Sequence, residues 1–118
     1  MKNIVEYGVI RHQPYPNSTE YLNIGIITFL PTGEIRTHFA ANLRRLVAFD
    51  PQADIDIIRR WEVGLPEFLA GLSKDEAIRL LAHFGTWRIS EKLGRFVYTD
   101  EHEYTERVNG ALSSLVDA

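Results

Sequence analysis

Apolar positions fall in short β-like runs early in the chain and at three- and four-residue steps later, so strands come first and helices follow. "IVEYGVIR" (4–11) is rich in β-branched and aromatic residues and is polar only at Glu6 and Arg11. In "LNIGIITFL" (22–30), Asn23 and Gly25 alternate with Leu22, Ile24 and Ile26, which leaves one face less bulky near its start. Pro31-Thr32-Gly33 reads as a turn, because proline fixes φ and glycine permits φ > 0. "EIRTHFA" (34–40) then sets Ile35, Thr37 and Phe39 against Arg36 and His38. The pattern predicts a hairpin of the second and third strands, with the first strand paired to the second.

Helical spacing takes over from Asn42, which can cap a short helix running to Val47 with Leu43, Leu46 and Val47 on one face and Arg44-Arg45 pointing elsewhere. Asp50-Pro51 predicts a second helix, Asp50 as N-cap and Pro51 at the first helical position. Its apolar residues run Ile55, Ile58, Trp61, Leu65, Phe68-Leu69 and Leu72; Gly64 and Pro66 interrupt the chain but not the period, which predicts a kinked or broken helix. Ser73 and Glu76 form a capping box before Ala77, Leu80-Leu81 and Phe84, and Gly85 is the expected stop. "TWRIS" and "GRFVYT" are short strands on either side of the Gly94 region, and Asp100 with Glu103 opens a last helix bearing Tyr104, Val108, Leu112 and Leu115. Strands followed by helices predict a single α+β domain over 1–118: a small antiparallel sheet with an N-terminal three-stranded unit, packed on about four helices along one face. Trp61, Leu65, Phe68, Leu81, Leu112 and Leu115 are the expected core of the helical layer.

Composition narrows the class without naming an activity. A chain of 118 residues with 45% hydrophobic and 25% charged residues has ordinary globular composition and room for one core. It has no cysteine, so disulfides, thiolate chemistry and cysteine zinc sites are excluded together. The N-terminus leads straight into a strand pattern that carries Glu6, and the longest apolar run, 22–31, is too short to cross a bilayer; a cytoplasmic protein with no membrane partner is expected. A net charge of −3 offers nucleic acid no overall attraction. The distribution is uneven: "IRTHFAANLRRLVAF" (35–49) holds three arginines and no acid, whereas "DEHEYTE" (100–106) is strongly acidic.

Reactive constellations are scarce. The four histidines sit in no His-x-Ser/Thr pair of the kind a two-histidine phosphoesterase uses, and in no His-Glu-x-x-His zinc helix. No Walker loop, dinucleotide-binding glycine fingerprint or nucleophile elbow occurs. No catalytic residue, metal site or cofactor is therefore assigned. The dense polar stretch is the first connection, "RHQPYPNSTEYLN" (11–23), where Arg11, His12, Glu20 and Asn23 surround Pro14 and Pro16. An Arg11–Glu20 pair would make this a rigid connector; the same residues displayed outward would make it a recognition site.

"YGVIRHQPYPNSTEYLNIGIITF" followed by "RRLVAFDPQADIDIIRRW" resembles the bacterial and phage family called domain of unknown function 3037, with Tyr7, Arg11, Pro14, Pro16, Glu20, Asn23, Gly25 and Phe29 on its pattern and His12 where an aromatic residue is commoner. The resemblance implies a compact α+β domain of no assigned activity, whose genes stand beside HipA-like kinase genes or in prophage. Four functions are compatible with this. The favoured one is a non-catalytic interaction module acting on a HipA-like kinase or another toxin–antitoxin partner. The alternatives are a phage-encoded inhibitor of a defence complex such as a CRISPR effector, a nucleic-acid binder using Arg36, Arg44, Arg45 and Arg59-Arg60, and an enzyme built on Arg11, His12 and Glu20. The expected partner-binding residues are Arg11, His12, Glu20, Asn23, Arg36, Arg44 and Arg45.

Overall fold

The computed structural model describes residues 2–15, 17 and 19–116; Pro16, one of the two prolines of the first connection, lies outside them. Strand β1 (Asn3–His12) is the spine of the sheet. On one side it pairs antiparallel with β2 (Leu22–Phe29), which pairs in turn with β3 (Ile35–Phe39). Gly33, at φ +93°, closes that hairpin as expected, with Gly33 N donating to Leu30 O at 2.9 Å. On its other side β1 pairs with two short strands laid end to end, β4 (Trp87–Ile89) opposite Ile10–His12 and β5 (Gly94–Tyr98) opposite Asn3–Tyr7. Ser90 bridges the interruption: its N–H donates to Val9 O and its hydroxyl accepts from Val9 N, both at 2.9 Å. Gly94 lies opposite Tyr7, whose ring occupies the space a side chain there would need.

The helices are α1 (Arg44–Phe49), α2 (Ile55–Leu69), α3 (Lys74–Leu81) and α4 (Glu101–Leu115). The predicted Ser73–Glu76 capping box is present, and Asp100 caps α4 by accepting from Glu103 N at 2.8 Å. Four boundaries differ from expectation. Helix α1 has Leu43 rather than Asn42 at its N-cap position, with no side-chain capping bond, and runs to Phe49 rather than Val47. Helix α2 begins at Ile55 rather than beside Pro51, because Asp54 is its N-cap and accepts from Asp56 N and Ile57 N. The helix then continues through Gly64 and Pro66 without a break. Helix α3 ends at Leu81, and Gly85, at φ +58°, belongs to the turn that leads into β4.

The helices cover both faces of the sheet, not one. Cross-strand partners share a face and neighbours along a strand alternate. Tyr7, Thr28 and Arg36 are successive partners across β1, β2 and β3. Thr28 Oγ1 bonds the Tyr104 hydroxyl at 2.7 Å and Arg36 bonds Glu101, so α4 covers that face. Glu6, on the opposite face, is held by Lys74 of α3 at 2.7 Å, and Trp87, the partner of His12, reaches Trp61 of α2 through the ring of Phe84. An apolar stripe dictates that a helix packs, not on which side of a sheet. β1 is apolar on both faces and requires cover on both.

Val5, Ile26, Ile27, Leu65 and Leu69 are fully buried at the centre, and Leu81 joins them. The expected helical core is corrected in two respects. Leu115 is 36% exposed and Leu112, also on α4, is only partly buried. Phe68 is 51% exposed, because its stripe on α2 lies beside the buried Leu65–Leu69 stripe rather than on it.

Candidate functional site

The residues expected from sequence divide between the two faces. Arg11 and Asn23 are cross-strand partners, as the strand pairing suggested. Arg11 does not pair with Glu20; its guanidinium carbon lies 4.2 Å over the Tyr21 ring, and Glu20 is exposed. Asn23 Nδ2 donates to Leu115 O at 2.8 Å and Arg45 Nη1 donates to Val116 O at 3.2 Å, so both hold carbonyls at the C-terminal end of α4. Arg36 binds the other end of that helix: it forks onto Glu101 at 2.9 and 3.0 Å, bonds Glu34, and lies 4.7 Å over the Tyr104 ring. The two carboxylates, Glu101 foremost, raise the Arg36 pKa, and Arg36 in turn holds the Glu101 carboxyl below the usual carboxylate range. Arg44 is exposed, its backbone N–H bonded to Asn42 Oδ1 at 2.9 Å.

His12 points to the opposite face from Arg11 and is 3% exposed. Its Nε2 lies 2.8 Å from Asp50 Oδ2 and its Nδ1 3.3 Å from Thr86 Oγ1. A carboxylate only accepts, so Nε2 bears the proton; in the neutral ring Nδ1 accepts from the Thr86 hydroxyl. Asp50 Oδ1 also accepts from Gln52 N at 3.1 Å, which turns the chain between α1 and α2. This engagement with His12 explains why Asp50 does not start α2. Carboxylate, imidazole and hydroxyl stand in the order of a hydrolytic triad. The imidazole has both nitrogens occupied and almost no free surface, and the three side chains form a polar strut joining β1, the α1–α2 turn and the approach to β4.

The strut forms the back of a cavity of about 400 Å³. Ile57, Ile58 and Trp61 of α2 line one side, and Phe84 and Trp87 the other. Aromatic rings continue outward from it in contact: Phe39–Trp87 at 5.4 Å, Trp87–Phe84 at 6.1 Å, Phe84–Trp61 at 5.0 Å and Trp61–Phe68 at 5.8 Å. The row starts at the sheet and ends on Phe68, with half-exposed Ile57 on the same stripe of α2. Among the described residues no group of three or more His, Asp or Glu side chains is placed to hold a metal ion, and no helix is long and apolar enough to cross a membrane.

Sequence reasoning singled out His12 but not Asp50, Thr86 or the aromatic walls. Helical spacing placed Trp61 and Phe68 together, and that was the available signal; nothing local links residues 12, 50 and 86.

One family model, described as "protein of unknown function (DUF3037)", matches residues 7–88. No curated protein and no solved structure matches the chain. Every residue lining the cavity, from His12 to Trp87, falls inside the matched span.

Proposed function

The chain belongs to the domain of unknown function 3037 family, and from that premise we propose that it is a non-catalytic protein-interaction module whose partner docks on the aromatic row and cavity of the α2 face. The observation that carries this reading is Phe68, a large aromatic side chain 51% exposed at the end of a row of rings rooted in the core. Contiguous apolar surface beside a cavity is costly in water and is characteristic of binding sites. Aromatic side chains supply most of the affinity at such surfaces because they bury large area with few rotatable bonds. The arginines at the ends of α4 fit the role less well, since Arg36 and Arg45 are engaged within the fold. A HipA-like kinase or another toxin–antitoxin component is the partner that the family's gene setting implies.

The test is co-purification of a HipA-like kinase, or of whatever products its neighbouring genes encode, with tagged wild-type chain and with Phe68→Ser. We expect the wild type to retain the partner and Phe68→Ser to lose it while keeping a cooperative thermal transition. The Arg44→Glu/Arg45→Glu pair should retain it, with slower association at most. Equal retention by wild type and Phe68→Ser would overturn the reading, and retention of a defence-complex subunit instead would move the partner to that class.

A further inference from the structure

We infer that the cavity behind the aromatic row takes an arginine side chain of the partner protein. This rests on the interaction-module reading and adds the chemistry of the anchoring group. The wall carries two carboxylates, Asp50 and Asp54, and contains no lysine or arginine. His12 already gives its Nε2 position to Asp50, so the wall is net negative in either protonation state of that ring. Asp54 Oδ1 satisfies two N–H groups at the start of α2, at 3.0 and 3.2 Å. No hydrogen bond among the described residues reaches its second oxygen, and the side chain is at the surface.

A carboxylate or phosphate would be repelled here. A purely apolar occupant would cover Asp54 without replacing its water. A cation with a flat, weakly hydrated head satisfies both sets of walls: its charge meets Asp54 and Asp50, and its plane lies on the partly exposed indole of Trp61. Guanidinium fits this better than ammonium, whose compact, strongly hydrated charge stacks poorly.

The chain itself provides the readout. It contains two tryptophans, Trp61 and Trp87, and both line the cavity, so intrinsic fluorescence reports occupancy without a label. The experiment titrates the full chain with n-butylguanidinium, n-butylammonium, n-butanol and n-butyrate at matched ionic strength. We expect a saturable emission change, strongest for butylguanidinium, weaker for butylammonium and butanol, and none for butyrate. Asp54→Asn keeps an N-cap of equal quality, and it should weaken butylguanidinium about five-fold, the loss of one solvent-exposed ion pair. No saturable guanidinium response, equal responses to guanidinium and butanol, or an unchanged Asp54→Asn affinity would overturn the inference. If the partner is lost on Phe68→Ser but held undiminished by Asp54→Asn, the interaction module stands and the arginine anchor falls.

Discussion

Replacing Asp50 by leucine removes the acceptor that holds the His12 ring, and the cost follows from the geometry. The two side chains are 4% and 12% exposed and 2.8 Å apart, so the bond between them is largely shielded from bulk water. A hydrogen bond to a charged acceptor contributes about 1.5–3 kcal/mol, and a buried donor left without a partner costs about 1–3 kcal/mol. The lost Gln52 N–H contact adds to this, while the apolar area of leucine offsets part. A net loss of about 3–4 kcal/mol is expected, which at about 4 °C per kcal/mol lowers the Tm by about 12–16 °C. Asp50→Asn should behave differently. Its oxygen can still accept from Gln52 N, but its NH2 group would face the Nε2–H of His12. The ring relieves that clash by carrying its proton on Nδ1 and donating to the Thr86 hydroxyl, so the variant should lose only about 1 kcal/mol. Thr86→Val, mild in the wild type, then removes the acceptor on which the new tautomer depends. The Asp50→Asn/Thr86→Val pair should therefore cost more than the sum of its parts. Urea denaturation followed by tryptophan emission gives all four stabilities, and imidazole 15N shifts report the tautomer directly. A Tm for Asp50→Leu within about 2 °C of wild type, or strict additivity of the pair, would show that the strut carries no such stability.

The pH dependence of stability should contain a term from His38, which bonds the Tyr104 hydroxyl at 2.8 Å. Burial first, and the charge of Arg36 second, lower its pKa below the ordinary value of 6.5, so the unfolded chain binds this proton more readily than the native one. The contribution is complete above about pH 6.5 and is lost as pH falls through the lower native value. Urea midpoints between pH 8 and 5 should decline less steeply in His38→Gln, and identical slopes would sink the assignment. In the helical layer, Leu65→Ala should cost about 2–5 kcal/mol as a fully buried truncation. Phe68→Ala should cost only about 1–2 kcal/mol, from its ring contacts with Trp61 and Phe84. A reversed order in melting temperature would contradict the burial of these two residues.

Local signals carried most of the element assignments. The Pro31–Gly33 turn, the Ser73–Glu76 box and Asp100 before Glu103 each act over a few residues, so each is legible without tertiary information. The layers were not legible in that way. Periodicity marks the apolar stripe of α4 but carries no label for the face it covers, although residues 4–11 of β1, polar only at Glu6 and Arg11, already called for cover on both. The choice between Asp50 and Asp54 as the cap of α2 is decided by His12, 38 residues from Asp50 in the chain. Of the residues expected to bind a partner, His12 lines the cavity, on a face the sequence reading did not anticipate. Strand alternation separates it from Arg11, while the charged loop drew both toward one surface.

The two-part edge of β1 has a consequence for synthesis. β2 and β3 are available to pair as soon as the hairpin has emerged, but β4 and β5 come from residues 87–98. At translation rates of about 5–20 residues per second, the roughly 60 residues between β3 and the end of β5 take about 3–12 s. Through that interval a ten-residue strand bearing Val5, Val9 and Ile10 presents unsatisfied N–H and C=O groups to any other nascent chain. Glu6 and Arg11, the charges within that strand, then serve as gatekeepers against chain-to-chain pairing on the polysome before they have any role in the finished sheet.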